Sequence, residues 1–139
     1  MKVEGLRSPY EKVCGIIYAA RLLDKVRLHQ AGQLPEGYHK NLGGGFDARL
    51  MSFINGDYVK LQERVKQGGS DEEIIQWLLS TFKHPTDFEI EMFNAFLSKR
   101  GWRDDAADFL QKRKVEDGFG GRENVVTFFD LIEADEEPL

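Results

Sequence analysis

Cysteine occurs once in 139 residues, at Cys14, so the chain holds no internal disulfide framework and suits a reducing compartment. Its neighbours Val13, Gly15, Ile16 and Ile17 form an apolar setting that predicts a buried, inert thiol and not a nucleophile. Histidine is almost as scarce. His29, His39 and His84 stand in neither an HExxH nor a Glu-x-x-His pattern, so zinc-hydrolase and di-iron sites lack their signatures, and neither metal nor cofactor is expected. No apolar run approaches the ~20 residues that span a bilayer. The first residues carry no apolar stretch followed by a small-residue cleavage site, which makes a cytoplasmic location the expectation. Basic surplus is missing too: the net charge is −5, whereas nucleic-acid binding needs a concentrated basic surface. The short run Lys112-Arg113-Lys114 lies beside acids on an expected helix and reads as a solvated face. A GxSxG elbow, a Walker loop and a dinucleotide fingerprint are all absent.

What is present is helical. Hydrophobic content of 41%, with ten Phe and two Trp, suffices for the core of a single domain over residues 1–139. Ser70-Asp71-Glu72-Glu73 and Thr86-Asp87-Phe88-Glu89 are capping boxes, each opening an apolar-periodic run. Ser8-Pro9-Tyr10-Glu11 reads as a third helix start. Gly15 and the β-branched Ile16-Ile17 weaken the middle of that helix, so it either runs on to Ala31 or breaks near residues 15 to 19. Further helices are expected over Asp47–Ile54, Asp57–Gln67, Arg103–Glu116 and Asn124–Glu133. An acidic tail over 134–139 is expected to fray. No segment alternates with period two between hairpin turns. The expected fold is all-α, a compact bundle of six or seven helices.

The densest mixture of charge, aromatics and glycine is Arg21 to Asn55. At ~100° per residue, Ala19, Leu22, Leu23 and Val26 share the core face of a helix, while Arg21, Asp24 and Lys25 fall opposite with Leu28 among them. An apolar residue within a charged face suggests that something packs over it. Gly32 ends this helix; Pro35 and Gly37 mark a turn before Tyr38 and His39. Gly43-Gly44-Gly45 precede the next helix, where their N–H groups could meet an anion. Asp47, at the expected cap, competes for those same groups.

Arg7-Ser8-Pro9, Gly15, Arg21-Leu22-Leu23-Asp24-Lys25-Val26-Arg27, Ala31-Gly32, Tyr38, Phe53 and Gly69-Ser70-Asp71-Glu72-Glu73 together resemble the bacterial domain of unknown function family 5069. The resemblance extends through Trp77 and over Thr127-Phe128-Phe129-Asp130. Relatives often carry proline at the position of Ala20, which implies a break before the Arg21 helix. They tend to lack the triple glycine, which weighs against an anion role for it. The family name implies no reaction.

Three functional readings follow. In the first, the chain binds a small polar or anionic ligand between the Arg21 helix and the loop to Arg49; Arg21, Lys25 and Arg49 supply charge, Asp24 orients them, and Tyr38 and His39 close the site. In the second, His39 is a general acid or base oriented by Asp24 or Asp47. In the third, the protein is a homodimeric scaffold using Trp102 and Phe119.

Overall fold

The chain enters its core through a hairpin. In the computed structural model, which describes residues 1–137, strand β1 (Lys12–Val13) pairs antiparallel with β2 (Ile16–Ile17), Lys12 opposite Ile17 and Val13 opposite Ile16. The turn residues Cys14 and Gly15 have φ of 52° and 78°, the left-handed pair that a tight two-residue hairpin needs. This corrects the expected helix from Ser8. The Ser8 hydroxyl does accept from the Tyr10 amide at 3.1 Å, but it donates to Glu133 Oε1 at 2.8 Å, and one turn is all that follows. Val13, Ile16 and Ile17 are buried, and β-branched side chains fit a strand better than a helix with glycine in its middle.

The same turn corrects the expectation for Cys14, which is exposed at the hairpin tip. Partial desolvation of its sulfur, and then the charge of Glu72, raise its pKa, which disfavours the nucleophilic thiolate.

Asn94 locks the hairpin onto the helices by accepting from the Ile17 amide at 3.0 Å and donating to the Gly15 carbonyl at 2.8 Å. Helix α1 (Ala19–Gln30) follows at once, with Tyr18 as its cap residue in the left-handed region at φ 73°. Every residue from Ala19 to Val26 is buried. The remaining helices are α2 (Gly45–Phe53), α3 (Tyr58–Lys66), α4 (Asp71–Thr81), α5 (Asp87–Lys99), α6 (Ala107–Glu116) and α7 (Phe128–Asp135). A short 3₁₀ helix, Glu36–Asn41, joins α1 to α2. The fold is thus an all-helical bundle of seven α-helices with one two-stranded ribbon among the described residues.

Local chemistry explains most starts. Ser70 and Thr86 form complete capping boxes with Glu73 and Glu89, while Asp57 and Thr127 cap α3 and α7 through Lys60 and Asp130 amides. Helix α6 begins later than Arg103 because Asp104 folds the preceding residues into a turn, accepting from the Gly101 and Ala106 amides at 2.9 Å each.

The main core gathers Ile16, Leu22, Leu23, Leu61, Ile74, Ile75, Leu78, Leu97 and Phe129 around α1. A smaller cluster of Leu110, Val125, Leu131 and Ala134 joins α6 to α7. Lys114 belongs to this second unit and not to a solvated face: it is buried and donates to the Arg122 and Val125 carbonyls at 3.0 and 2.8 Å. Within the expected acidic tail, the described residues up to 137 make contacts. Helix α7 runs to Asp135, Glu136 is bound by Arg21, and Glu137 by Arg122; Pro138 and Leu139 lie outside the described residues.

Candidate functional site

The charged face of α1 is covered, and each of its charges has a different cover. Arg21, Asp24 and Lys25 are 4%, 6% and 5% exposed, so none is a free surface charge. An ion taken out of water costs several kcal/mol unless it is paired, and each of these has found its partner.

Asp24 accepts from the backbone amide of Arg7 and, at both oxygens, from the Arg7 guanidinium, all at 2.9 Å. Arg7 also reaches Asp71 at 2.8 Å. Leu28 is half-buried and its side chain lies against Gly5. The roof over this part of the face is therefore the N-terminal segment, not the downstream loop.

Arg21 makes a two-pronged ion pair with Glu136, at 2.8 and 2.6 Å, and donates to the Arg7 carbonyl at 3.1 Å. The Tyr38 hydroxyl donates to the same Glu136 at 2.8 Å. Burial, and then the Glu136 carboxylate, push the Tyr38 pKa well above its ordinary value.

Lys25 meets Asp47 at 3.0 Å, both almost wholly buried. Asp47 also accepts from the Tyr18 hydroxyl at 2.6 Å and from the Gly43 amide at 3.1 Å. Asp47 is thus no helix cap; α2 begins at Gly45, two residues earlier. The carboxylate points inward, captures one of the glycine-loop amides and neutralises Lys25. Nearby, the Tyr58 hydroxyl is buried with no hydrogen-bond partner among the described residues. Its burial, and then the Asp47 charge, raise its pKa.

His39 lies elsewhere. Its Nε2 is 2.9 Å from the Leu34 carbonyl oxygen and its ring packs edge-on against His29 at 5.0 Å. Neither Asp24 nor Asp47, both engaged as above, orients it. The expected histidine–carboxylate pair is not formed.

The chain does form a cleft of about 600 Å³ between the Arg21–Lys25 edge of α1, the start of α2, and the segments carrying Arg100, Arg113 and Glu136. Of the expected site residues, Arg21, Lys25, Tyr38 and Arg49 line it; Asp24, His39 and Asp47 do not. Phe46, Phe109 and Phe128 give its wall an aromatic part. Six basic side chains line it (Arg21, Lys25, Lys40, Arg49, Arg100 and Arg113) against three carboxylates, Asp117, Asp135 and Glu136. That balance is the reverse of the acidic whole chain. Arg21 and Lys25 are spent on their buried partners. Arg100 and Arg113 have acidic neighbours, Asp104 and Asp105 for the first and Glu116 and Asp117 for the second. Arg49 and Lys40 form no ion pair among the described residues, and Arg49 rests on the Phe96 ring instead, 5.3 Å from its centroid.

Sequence reasoning therefore found one bank of the cleft and missed the other. Arg100 and Arg113 lie more than fifty residues downstream, and the run Lys112-Arg113-Lys114 read as a solvated face. Glu136 was hidden within a run of acids. Arg7 was visible only as part of a family string.

Among the described residues no helix is long and apolar enough to cross a membrane, and no group of three or more His, Cys, Asp or Glu side chains is arranged to hold a metal ion. A comparison with curated proteins finds no match. A comparison with family models finds one, described as "Domain of unknown function (DUF5069)", over residues 3–138.

Proposed function

The chain belongs to the DUF5069 family, whose name carries no activity, and from the cleft we propose that it binds a small organic anion with an apolar body. The observation that carries this reading is Arg49. Arg49 lines a cleft of ligand size, about 600 Å³, and its guanidinium, over the Phe96 ring, has no carboxylate within ion-pairing distance among the described residues. Concave sites lined by aromatic side chains with a few convergent polar groups are the usual setting for small-molecule binding. Phe46, Phe109 and Phe128 would take the body, and Arg49 and Lys40 the charge. Arg21 and Lys25 act one step behind, holding the floor rigid through Glu136 and Asp47.

The reading with His39 as acid or base has no geometric support, since the ring lies off the cleft and bonds to a backbone carbonyl. For the scaffold reading, Phe119 packs against the α6–α7 cluster, while Trp102, with Arg103 over its ring, and Phe88 and Phe96 of α5 are exposed.

Thermal-shift measurements with a panel of small carboxylates, sulfonates and phosphates at low ionic strength test the proposal. A ligand of the native state raises the midpoint in a saturable way, by about 2.7 kcal/mol of stability at a hundredfold excess over Kd. The expected result is such a shift for at least one anion, lost in the Lys40→Ala/Arg49→Ala double variant. Shifts that are absent across the panel, or unchanged in that variant, contradict it.

A further inference from the structure

We infer that the anion this cleft reads is a phosphoryl group, gripped between Arg49 and Arg100 on the Phe96 ring, so that the ligand class is an organic phosphomonoester; this rests on the anion-binding reading above. Two guanidinium groups from different elements converge on one aromatic ring. Arg49, from α2, lies with Cζ 5.3 Å from the Phe96 centroid, and Arg100, at the end of α5, lies 5.7 Å from it. Both line the cleft. A ring attracts a guanidinium through its quadrupole but supplies no oxygen acceptor. The side-chain N–H groups of Arg49 are accordingly without an acceptor among the described residues. Arg100 directs Nη1 to Asp104 and Asp105, which leaves its Nε and Nη2 without an acceptor there.

Two like charges drawn to one ring repel each other. The ring and the two aspartates offset part of that repulsion, and those aspartates sit on the Arg100 side alone. A guest placed between the two forks offsets the rest if it brings more than one charge and more than two acceptor atoms. A carboxylate has one charge and two oxygens, which a single guanidinium fork already satisfies. A phosphomonoester brings three terminal oxygens and a charge of about −1.5 to −2 near neutral pH, enough for both forks at once. The choice of arginine at both positions fits this, because its rigid planar fork matches phosphate geometry in a way that a lysine ammonium does not. Phe128 lines the same cleft as both arginines and packs with Phe109 at 5.9 Å and Phe46 at 6.5 Å between ring centroids. That wall would take the organic part of the ester.

The test compares phenyl phosphate, benzoate and benzyl alcohol by calorimetry at fixed ionic strength, with the native chain, Arg49→Lys, Arg100→Lys and Arg49→Ala. The three probes share a ring and differ in head group. The lysine variants keep the charge and lose the fork. The proposal expects phenyl phosphate to bind at least about tenfold tighter than benzoate, and each lysine variant to lose about tenfold for phenyl phosphate and less for benzoate. It also expects affinity for phenyl phosphate to rise from pH 5 to 7 as the second phosphate proton leaves, near pH 6, with no such rise for benzoate. Equal binding of benzoate and phenyl phosphate, both lost in Arg49→Ala, overturns the phosphoryl assignment and leaves the anion reading standing. Phenyl phosphate affinity that neither lysine variant changes overturns the clamp. No binding by any of the three overturns both readings.

Discussion

Asp47 shows how a single buried carboxylate fixes the geometry of the site. It satisfies a lysine, a tyrosine and a backbone amide together, so it joins α1, the cap residue Tyr18 and the glycine loop at the base of the cleft. Removing one partner of such a pair leaves the other buried and unpaired, at a cost of about 3–5 kcal/mol, whereas replacing both by apolar groups is often neutral. Asp47→Ala is therefore expected to lower the urea-unfolding free energy by that amount, and Lys25→Met/Asp47→Leu to recover most of it. Equal destabilisation by the two would show that the cost lies in packing and not in charge.

A second carboxylate makes the stability depend on pH. Hydrogen bonding from Arg7, and then from Arg27, outweighs partial burial and holds the Asp71 pKa below its ordinary value. Because the folded pKa is the lower one, the unfolded chain binds the proton first as the pH falls. The stabilisation is fully present above the unfolded value of about 3.9 and is lost as the pH drops through the folded one. Asp71 is half-buried while its partners Arg7 and Arg27 are more open to water, so solvent screening keeps the effect modest. In Asp71→Asn, the acid-side loss of stability measured between pH 5 and 2 should be shallower than in the native chain; identical slopes would contradict the assignment.

At the scale of elements, the hairpin is one place where the chain stores local strain. Cys14 occupies a left-handed position at φ 52°, which asparagine tolerates better than most residues with a Cβ. Cys14→Asn should raise the thermal midpoint slightly. Gly15→Ala should lower stability by roughly 1–2 kcal/mol, and since a Cβ there meets nothing within 4 Å, the cost is purely backbone. A neutral Gly15→Ala would show that the turn is not as described.

Helices α3 to α5 were legible in the sequence because their signals are local: a Ser, Thr or Asp cap, apolar spacing, and a glycine or proline stop. The hairpin was not, because two strands of two residues are too short to show alternation, and Ser8-Pro9-Tyr10-Glu11 carries a helix-start pattern that tertiary contacts override. The charged face of α1 was half legible. Leu28 rightly signalled a cover, but the cover over it is Gly5, brought there by the Arg7–Asp24 contact rather than by residues 33 to 46. Burial of Arg21 by Glu136 joins residues 115 positions apart, and no local pattern encodes such a contact.

Across the whole molecule, the end of α7 is tied to the first turn of α1 by an ion pair whose two members both line the cleft. Arg21 is 4% exposed and donates to both oxygens of Glu136, to which the Tyr38 hydroxyl also donates. Glu136→Gln keeps the shape and removes the charge. It should lower stability and speed amide hydrogen exchange in α7 and in the 3₁₀ helix together, because both ends of the contact are released. Faster exchange in α7 alone would mean that Tyr38 does not depend on Glu136.

The central claim is that the basic, aromatic cleft is where a small anion binds, and NMR titration of the isotope-labelled chain with phenyl phosphate tests it most directly. The account predicts saturable amide shifts confined to residues 37–49, 96–113 and 128–136, absent in Arg49→Ala. Shifts that are linear in concentration, or spread over lysines and arginines far from the cleft, would contradict it.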